Sequence, residues 1–252
     1  MFKARLSEPK LFANCFVAIS NMIDEACLIA SEEGLHLRAM DPAHVALVDF
    51  SMKKDFFDEF NVQGEIKMGL DLSRFCTILK RGGGSDSMFL KLSSESSALE
   101  IRFENSSTRT FRMPLIEVSE EELKVPSLDF PAMVEIEPKI LEEAIKDAEI
   151  VSDHVVFSMD EENFYIAAGG ELGEAEVKIS KNEAISFSVS PPSGEEKVKS
   201  MFSIEYLKDM IKASDIASTV RIHLGNNIPV KLEFIASGVE LSFLLAPRIE
   251  SE

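Results

Sequence analysis

Apolar and polar residues alternate along much of the chain, and the alternation is broken by short runs with helical spacing. Leu72, Phe75, Ile78 and Leu79 share one helix face, and Ile204, Leu207, Met210 and Ile211 share another. Asp71 and Ser203 stand before these runs as N-caps, and Gly82-Gly83-Gly84 stops the first. Strand-like alternation follows each helix. It covers Ser87–Leu92, Leu99–Phe103 and Thr108–Leu115 after the first, and Val220–Leu224, Val230–Phe234 and Val239–Leu245 after the second. Such alternation predicts antiparallel sheet with one face buried and one wet.

The pattern occurs twice. Phe16–Ala39 aligns with Ile145–Ala168 at a constant offset, pairing Phe16 with Ile145, Leu28 with Phe157, Leu35 with Phe164 and Leu37 with Ile166. Leu72–Lys80 aligns in the same way with Ile204–Lys212. Between the halves, Glu117–Asp129 holds four Glu, one Asp and Pro126 without a sustained period, which reads as an exposed connector. The predicted organisation is α+β: an N-terminal domain over 1–116, a connector over 117–130 and a C-terminal domain over 131–252. In each domain two short helices cover one face of an antiparallel sheet.

Composition fits this picture. The chain has 252 residues, 45% hydrophobic and 28% charged, which suits a packed core. No apolar run reaches membrane length, and Met1–Pro9 lacks a signal-peptide core, so a soluble intracellular protein is expected. Cys15, Cys27 and Cys76 have no CxxC spacing and read as free thiols. His36, His44, His154 and His223 are scattered without metal-ligand spacing. Arg81-Gly-Gly-Gly-Ser-Asp86 lacks the lysine of a phosphate-binding loop, and no GxSxG elbow occurs. No cofactor, metal or catalytic constellation is indicated. The net charge of −18 argues against a nucleic-acid binder unless the cations are gathered on one face.

Several segments are specific. Phe2-Lys-Ala4-Arg5-Leu6, Ile23–Cys27, Leu37–Val48, Thr108–Ile116, Gly170-Glu-Leu-Gly173 and Leu244–Ile249 resemble, in the same order, the proliferating cell nuclear antigen family of archaeal and eukaryotic sliding clamps. The resemblance spans essentially the whole chain. It implies the DNA-clamp fold, with two topologically similar domains per chain. Three subunits would close a ring, with helices lining the inner channel and antiparallel sheets outside. The protein would be a processivity factor in DNA replication and repair, not an enzyme. It would encircle double-stranded DNA as a homotrimer, on chromosomal DNA in an archaeal cytoplasm or a eukaryotic nucleus. Implied partners are DNA polymerase, the clamp loader, flap nuclease and DNA ligase. A subunit of a heterotrimeric or checkpoint-type clamp is the alternative.

The resemblance also assigns sites. The lining helices would present Lys10; Arg74, Lys80 and Arg81; Lys139 and Lys146; and Lys208 and Lys212 to DNA. The third helix carries Glu142, Glu143, Asp147 and Glu149 beside its lysines, which predicts a weakly positive channel. Subunits would join by pairing Thr108–Ile116 with the neighbour's Glu174–Ser180, which includes Val177 and Ile179. Phe75, Ile78 and Phe111 would supply apolar contact there, and Arg81 and Arg109 would meet Glu143 and Asp147. A pocket for a PIP-box peptide would be walled by Met40, His44, Val45 and Leu47, by Leu123, Val125, Pro126 and Leu128, and by Pro229 with Leu245, Ala246, Pro247, Arg248 and Ile249.

Overall fold

The computed structural model describes residues 1–93, 97–118, 123, 128–192 and 194–248. The first half of the chain forms β1 (Phe2–Leu6), α1 (Lys10–Ile19), β2 (Glu25–Ser31), β3 (Gly34–Met40), β4 (Ala46–Lys53), β5 (Glu59–Val62), β6 (Ile66–Asp71), α2 (Leu72–Leu79), β7 (Ser87–Leu92), β8 (Ala98–Glu104) and β9 (Thr108–Pro114). The second half forms β10 (Ala132–Ile136), α3 (Pro138–Glu149), β11 (His154–Met159), β12 (Asn163–Gly170), β13 (Gly173–Ser180), β14 (Ser186–Val189), β15 (Val198–Ser203), α4 (Ile204–Met210), β16 (Val220–Leu224), β17 (Val230–Ala236) and β18 (Val239–Leu245).

Each element of the first half has a counterpart in the second, in the same order. Strands β5-β1-β7-β8-β9 run side by side, as do β14-β10-β16-β17-β18. The other pair of runs is β4-β3-β2-β6 and β13-β12-β11-β15. The sequence repeat is therefore a repeat of topology.

The cores follow from the alternation. In β8, Leu99, Ile101 and Phe103 are buried while the residues between them reach the surface. In α2, Leu72, Phe75, Cys76 and Leu79 are buried, and the Asp71 carboxylate caps the helix by accepting from Arg74 N at 2.9 Å. The first core centres on rings: Phe16 meets Phe12, Phe50 and Phe75 at centroid distances of 4.7, 5.3 and 4.9 Å. In the second, Phe157 meets Phe164 and Phe202 at 5.6 and 5.5 Å. Gly34 turns β2 into β3 at a φ of 139°, and a Cβ there would lie 2.1 Å from the Met52 carbonyl oxygen, so only glycine fits.

Two compact units result. The first comprises Met1–Pro42, Val48–Leu123 and Ala236–Leu241, and the second Ala43–Leu47, Lys124–Ile235 and Ser242–Glu252. Each unit takes in a short segment from the other half of the chain. Backbone pairing accounts for both segments. Lys53 N donates to Gly238 O at 2.8 Å in the first unit, and Ala246 N donates to Val45 O at 2.9 Å in the second.

On the outer face of β16 and β17, Glu233 accepts from His223 and Lys231 at 2.7 and 2.5 Å. The His223 hydrogen bond leads, with Lys231 adding to it, in pulling the Glu233 carboxyl down to about 2 from an ordinary 4.5. A depressed carboxylate contributes stability above its unfolded pKa, and that contribution is lost as pH falls through the folded one. Urea midpoints should therefore drop between about pH 4.5 and pH 2. Glu233→Gln should remove part of that slope and leave the rest of the profile in place; an unchanged slope would mean the pair is idle.

Candidate nucleic-acid interface

The eight cations expected to face DNA all lie exposed on or beside the four helices. Lys10 opens α1, whose buried face is Phe12, Cys15, Phe16, Ala18 and Ile19. Arg74 projects from the exposed face of α2, and Lys80 and Arg81 follow its last turn, where cations complement the helix dipole. The two helices pack through Phe75, whose ring stands perpendicular to those of Phe12 and Phe16. Neither α1 nor α2 contains a carboxylate. Among the described residues no ion pair engages Lys10, Arg74, Lys80 or Arg81.

The second helix pair differs. Lys146 meets Glu142 at 2.7 Å and Glu143 at 3.0 Å, Lys208 meets Glu149 at 2.5 Å, and Lys212 meets Asp209 at 2.6 Å. Only Lys139 of the expected four has no ion pair among the described residues. A cleft of about 1110 Å³ along α3 and α4 is lined by both signs of charge, including Glu142, Lys146, Glu149, Lys208 and Asp209. Among the described residues most of the unpaired cations of these helices therefore lie on or just after α1 and α2.

Among the strands that end a sheet with one neighbour are β9, beyond β8, and β13, beyond β12. Each leaves a row of backbone groups free to pair. Phe111 on β9 is half-buried, its ring 6.2 Å from that of Phe103, and Ile78 on α2 is half-buried as well. Glu143, Asp147 and Glu174 are exposed and Val177 is half-buried. Three of the residues expected at the joint are already engaged within their own chain. Phe75 is 0% exposed and Ile179 4%, so both are spent on their own cores and have almost no surface to offer a neighbour. Arg109 already has partners in its own chain: it pairs with Asp86 and donates to Arg81 O at 2.7 Å. The Gly83 N–H, with Arg109 beside it, holds the Asp86 carboxyl below the usual carboxylate range. The sequence reading missed Ile150 and Leu172, which are 71% and 83% exposed at the end of α3 and in the turn before β13. Both were legible only as apolar residues out of phase with their helix and hairpin.

The expected peptide-pocket residues divide between the units. Met40 and Leu123 belong to the first, and both are half-buried. His44, Val45, Leu47, Leu128, Pro229, Leu245, Ala246, Pro247 and Arg248 belong to the second. Val125, Pro126 and Ile249 lie outside the described residues. Leu47 at 5% exposure and Leu245 at 0% are core residues that support the surface and do not form it. His44 is exposed in the left-handed region at φ 58°. The terminal segment is fixed in the second unit: Arg248 N donates to Met201 O at 2.7 Å and the Arg248 guanidinium to Asp153 at 3.0 Å. Leu123, midway along 117–130, is held in the first unit by a cluster that sequence reasoning overlooked. Arg38 donates to Leu123 O at 3.3 Å and to Asp49 at 2.6 Å, and His36 lies 2.8 Å from Asp49. Burial would raise the Asp49 carboxyl, but the His36 and Arg38 hydrogen bonds outweigh it and leave it below its ordinary value.

Two copies of one α+β topology, each with a helix pair bearing exposed cations, define the DNA-clamp architecture. The N-terminal domain model of proliferating cell nuclear antigen matches residues 1–123, and the C-terminal domain model matches residues 124–248. The chain belongs to the proliferating cell nuclear antigen family. It is 41% identical to the DNA polymerase sliding clamp of Thermococcus fumicolans, with 96% of each chain covered. It is 38% identical to that of Methanococcus vannielii, with 100% of each covered. The crystal structure of PCNA from Thermococcus kodakaraensis superposes with a TM-score of 0.91 at 27% identity, covering 98% of this chain and all of that one.

Proposed function

We propose that this chain is a DNA polymerase sliding clamp that closes with two further copies into a ring around duplex DNA. It acts as a scaffold and performs no chemistry. The observation that carries the ring is the pair of open edges. By the repeat, β9 corresponds to β18 and β13 to β4. The ends of β18 and β4 are held by the Gly238–Lys53 and Ala246–Val45 hydrogen bonds, while among the described residues no strand pairs with the outer side of β9 or β13. Pairing β9 of one chain with β13 of the next would repeat that bonding head to tail, and such contacts close when the rotation divides the circle. Ile150, Leu172, Phe111 and Val177 would lose water in the joint. Glu143, Asp147 and Glu174 would then face Arg81 and Arg109 of the neighbouring copy.

Within the ring, Lys10, Arg74, Lys80 and Arg81 would screen phosphates without reading bases, which permits sliding. Lys139, Lys146, Lys208 and Lys212 would contribute less. Met40 and Leu123 of the first unit, and His44, Val45, Leu128, Pro229, Ala246 and Pro247 of the second, would contact PIP-box peptides of the polymerase, the clamp loader, flap nuclease and ligase. Aromatic anchors would provide most of that affinity. The division into domains over 1–116 and 131–252 with a connector over 117–130 belongs to the same reading.

Light scattering across a dilution series tests the ring. The purified chain should show the mass of three copies. Phe111→Ala combined with Val177→Asp should show the mass of one copy with unchanged far-ultraviolet circular dichroism. A wild-type chain that stays single at every concentration would overturn the homotrimer and direct attention to unlike partner subunits.

A further inference from the structure

The outer face of the run β5-β1-β7-β8-β9 carries an arrangement that the clamp reading does not use. Cross-strand register places two rows on it. Lys3 stands opposite Lys91, which stands opposite Glu100. Arg5 stands opposite Phe89, which stands opposite Arg102. The Arg5 and Arg102 guanidinium carbons lie 5.4 and 4.5 Å from the Phe89 ring centroid. Residues of both rows, with Ala4, Leu90 and Glu59, line a cleft of about 230 Å³.

The charges of this cluster are only partly satisfied within it. Like charges directly opposite on neighbouring strands destabilise a sheet, yet Lys3 and Lys91 face each other. Both are exposed, and among the described residues neither has an ion pair. Nε of Arg5 and of Arg102 is buried with no hydrogen-bond partner. Glu104 lies 3.1 Å from Arg102 Nε but without hydrogen-bond geometry, and Glu59 is 3.9 Å from Arg5. The repeat supplies an internal control. The row of the second sheet that matches Arg5–Phe89–Arg102 is Glu135–Arg221–Glu233, and the row that matches Lys3–Lys91–Glu100 is Met133–His223–Lys231. These rows are balanced: Arg221 donates to Glu135 at 2.9 Å, and Glu233 is held by His223 and Lys231. The fold therefore does not require a cationic row here.

We propose that this face binds an acidic, extended peptide segment of a partner protein, through carboxylates flanking an apolar residue. Side chains two apart on an extended segment are about 7 Å apart, which matches the distance between the two rows. One carboxylate would bridge Lys3 and Lys91. The other would accept from the guanidinium edges of Arg5 and Arg102, already oriented on Phe89. The intervening apolar residue would cover Phe89 and Leu90. Glu59, Glu100 and Glu104 interrupt the cations, which suits spaced carboxylates and opposes a continuous phosphate backbone.

The test is fluorescence anisotropy with a dye-labelled Gly-Ser-Glu-Phe-Glu-Ser-Gly peptide, its Gln-Phe-Gln counterpart and oligo(dT). The full chain is used as it assembles, and the readout does not depend on ring closure. The Glu peptide should bind, and the Gln peptide should bind at least about tenfold more weakly, as expected when charge-assisted hydrogen bonds are removed. Lys3→Glu with Lys91→Glu should abolish binding, and Lys3→Gln with Lys91→Gln should weaken it by a smaller factor. Absence of binding, equal binding of the Glu and Gln peptides, binding unmoved by the lysine variants, or preference for oligo(dT) would each overturn the proposal.

Discussion

Replacing Lys10, Arg74, Lys80 and Arg81 together by alanine is expected to weaken association with linear duplex DNA by at least about tenfold at low salt. The slope of log affinity against log salt should fall by up to about 0.9 for each phosphate that is no longer neutralised. These four cations sit beside no carboxylate on α1 or α2, so each can displace counterions from DNA. The second helix pair should respond in the contrary sense. Glu149→Gln breaks the Lys208 pair at 2.5 Å and Asp209→Asn the Lys212 pair at 2.6 Å, so affinity should rise. Filter binding over a salt series measures both. If neither set moves the slope, the helices are not the DNA-facing surface, and the channel assignment fails whatever the oligomeric mass.

The second large effect concerns stability. Phe16→Ala should cost about 3–5 kcal/mol in urea unfolding, in the range of fully buried aromatic truncations. The ring touches Phe12, Phe50 and Phe75, and none of the four has accessible surface, so the cavity cannot fill by a small shift. Phe75→Ala should cost a comparable amount, and that destabilisation should be independent of chain concentration. A concentration-dependent destabilisation for Phe75→Ala alone would return this residue to the subunit joint from which its burial removes it.

The architecture was legible because burial is periodic. Alternation in Leu99–Phe103 and helical spacing in Leu72–Leu79 each identified the inward face, and the constant offset between halves showed that one topology occurs twice. What stayed hidden was pairing over long sequence distance. Nothing near Arg38 reveals that Asp49 and the Leu123 carbonyl complete its hydrogen bonds. Apolar character alone could not separate Phe75 and Ile179, which fill cores, from Ile150 and Leu172, which do not. For the cations, the resemblance named candidates, but only side-chain geometry divides paired lysines from unpaired ones. The Arg5–Phe89–Arg102 row was invisible for a related reason: it exists only across three strands.

The exchange of short segments between the two units has a consequence for synthesis. The first unit includes Ala236–Leu241, so its last backbone partner, the Gly238 carbonyl for Lys53, is translated after nearly all of the chain. Domains generally fold as they emerge, the N-terminal one first. Here the nascent first unit must wait with one part of its surface unfinished until the C-terminal strands leave the ribosome. A chain truncated before residue 236 would thus strand both units, even though the N-terminal half would be present in full.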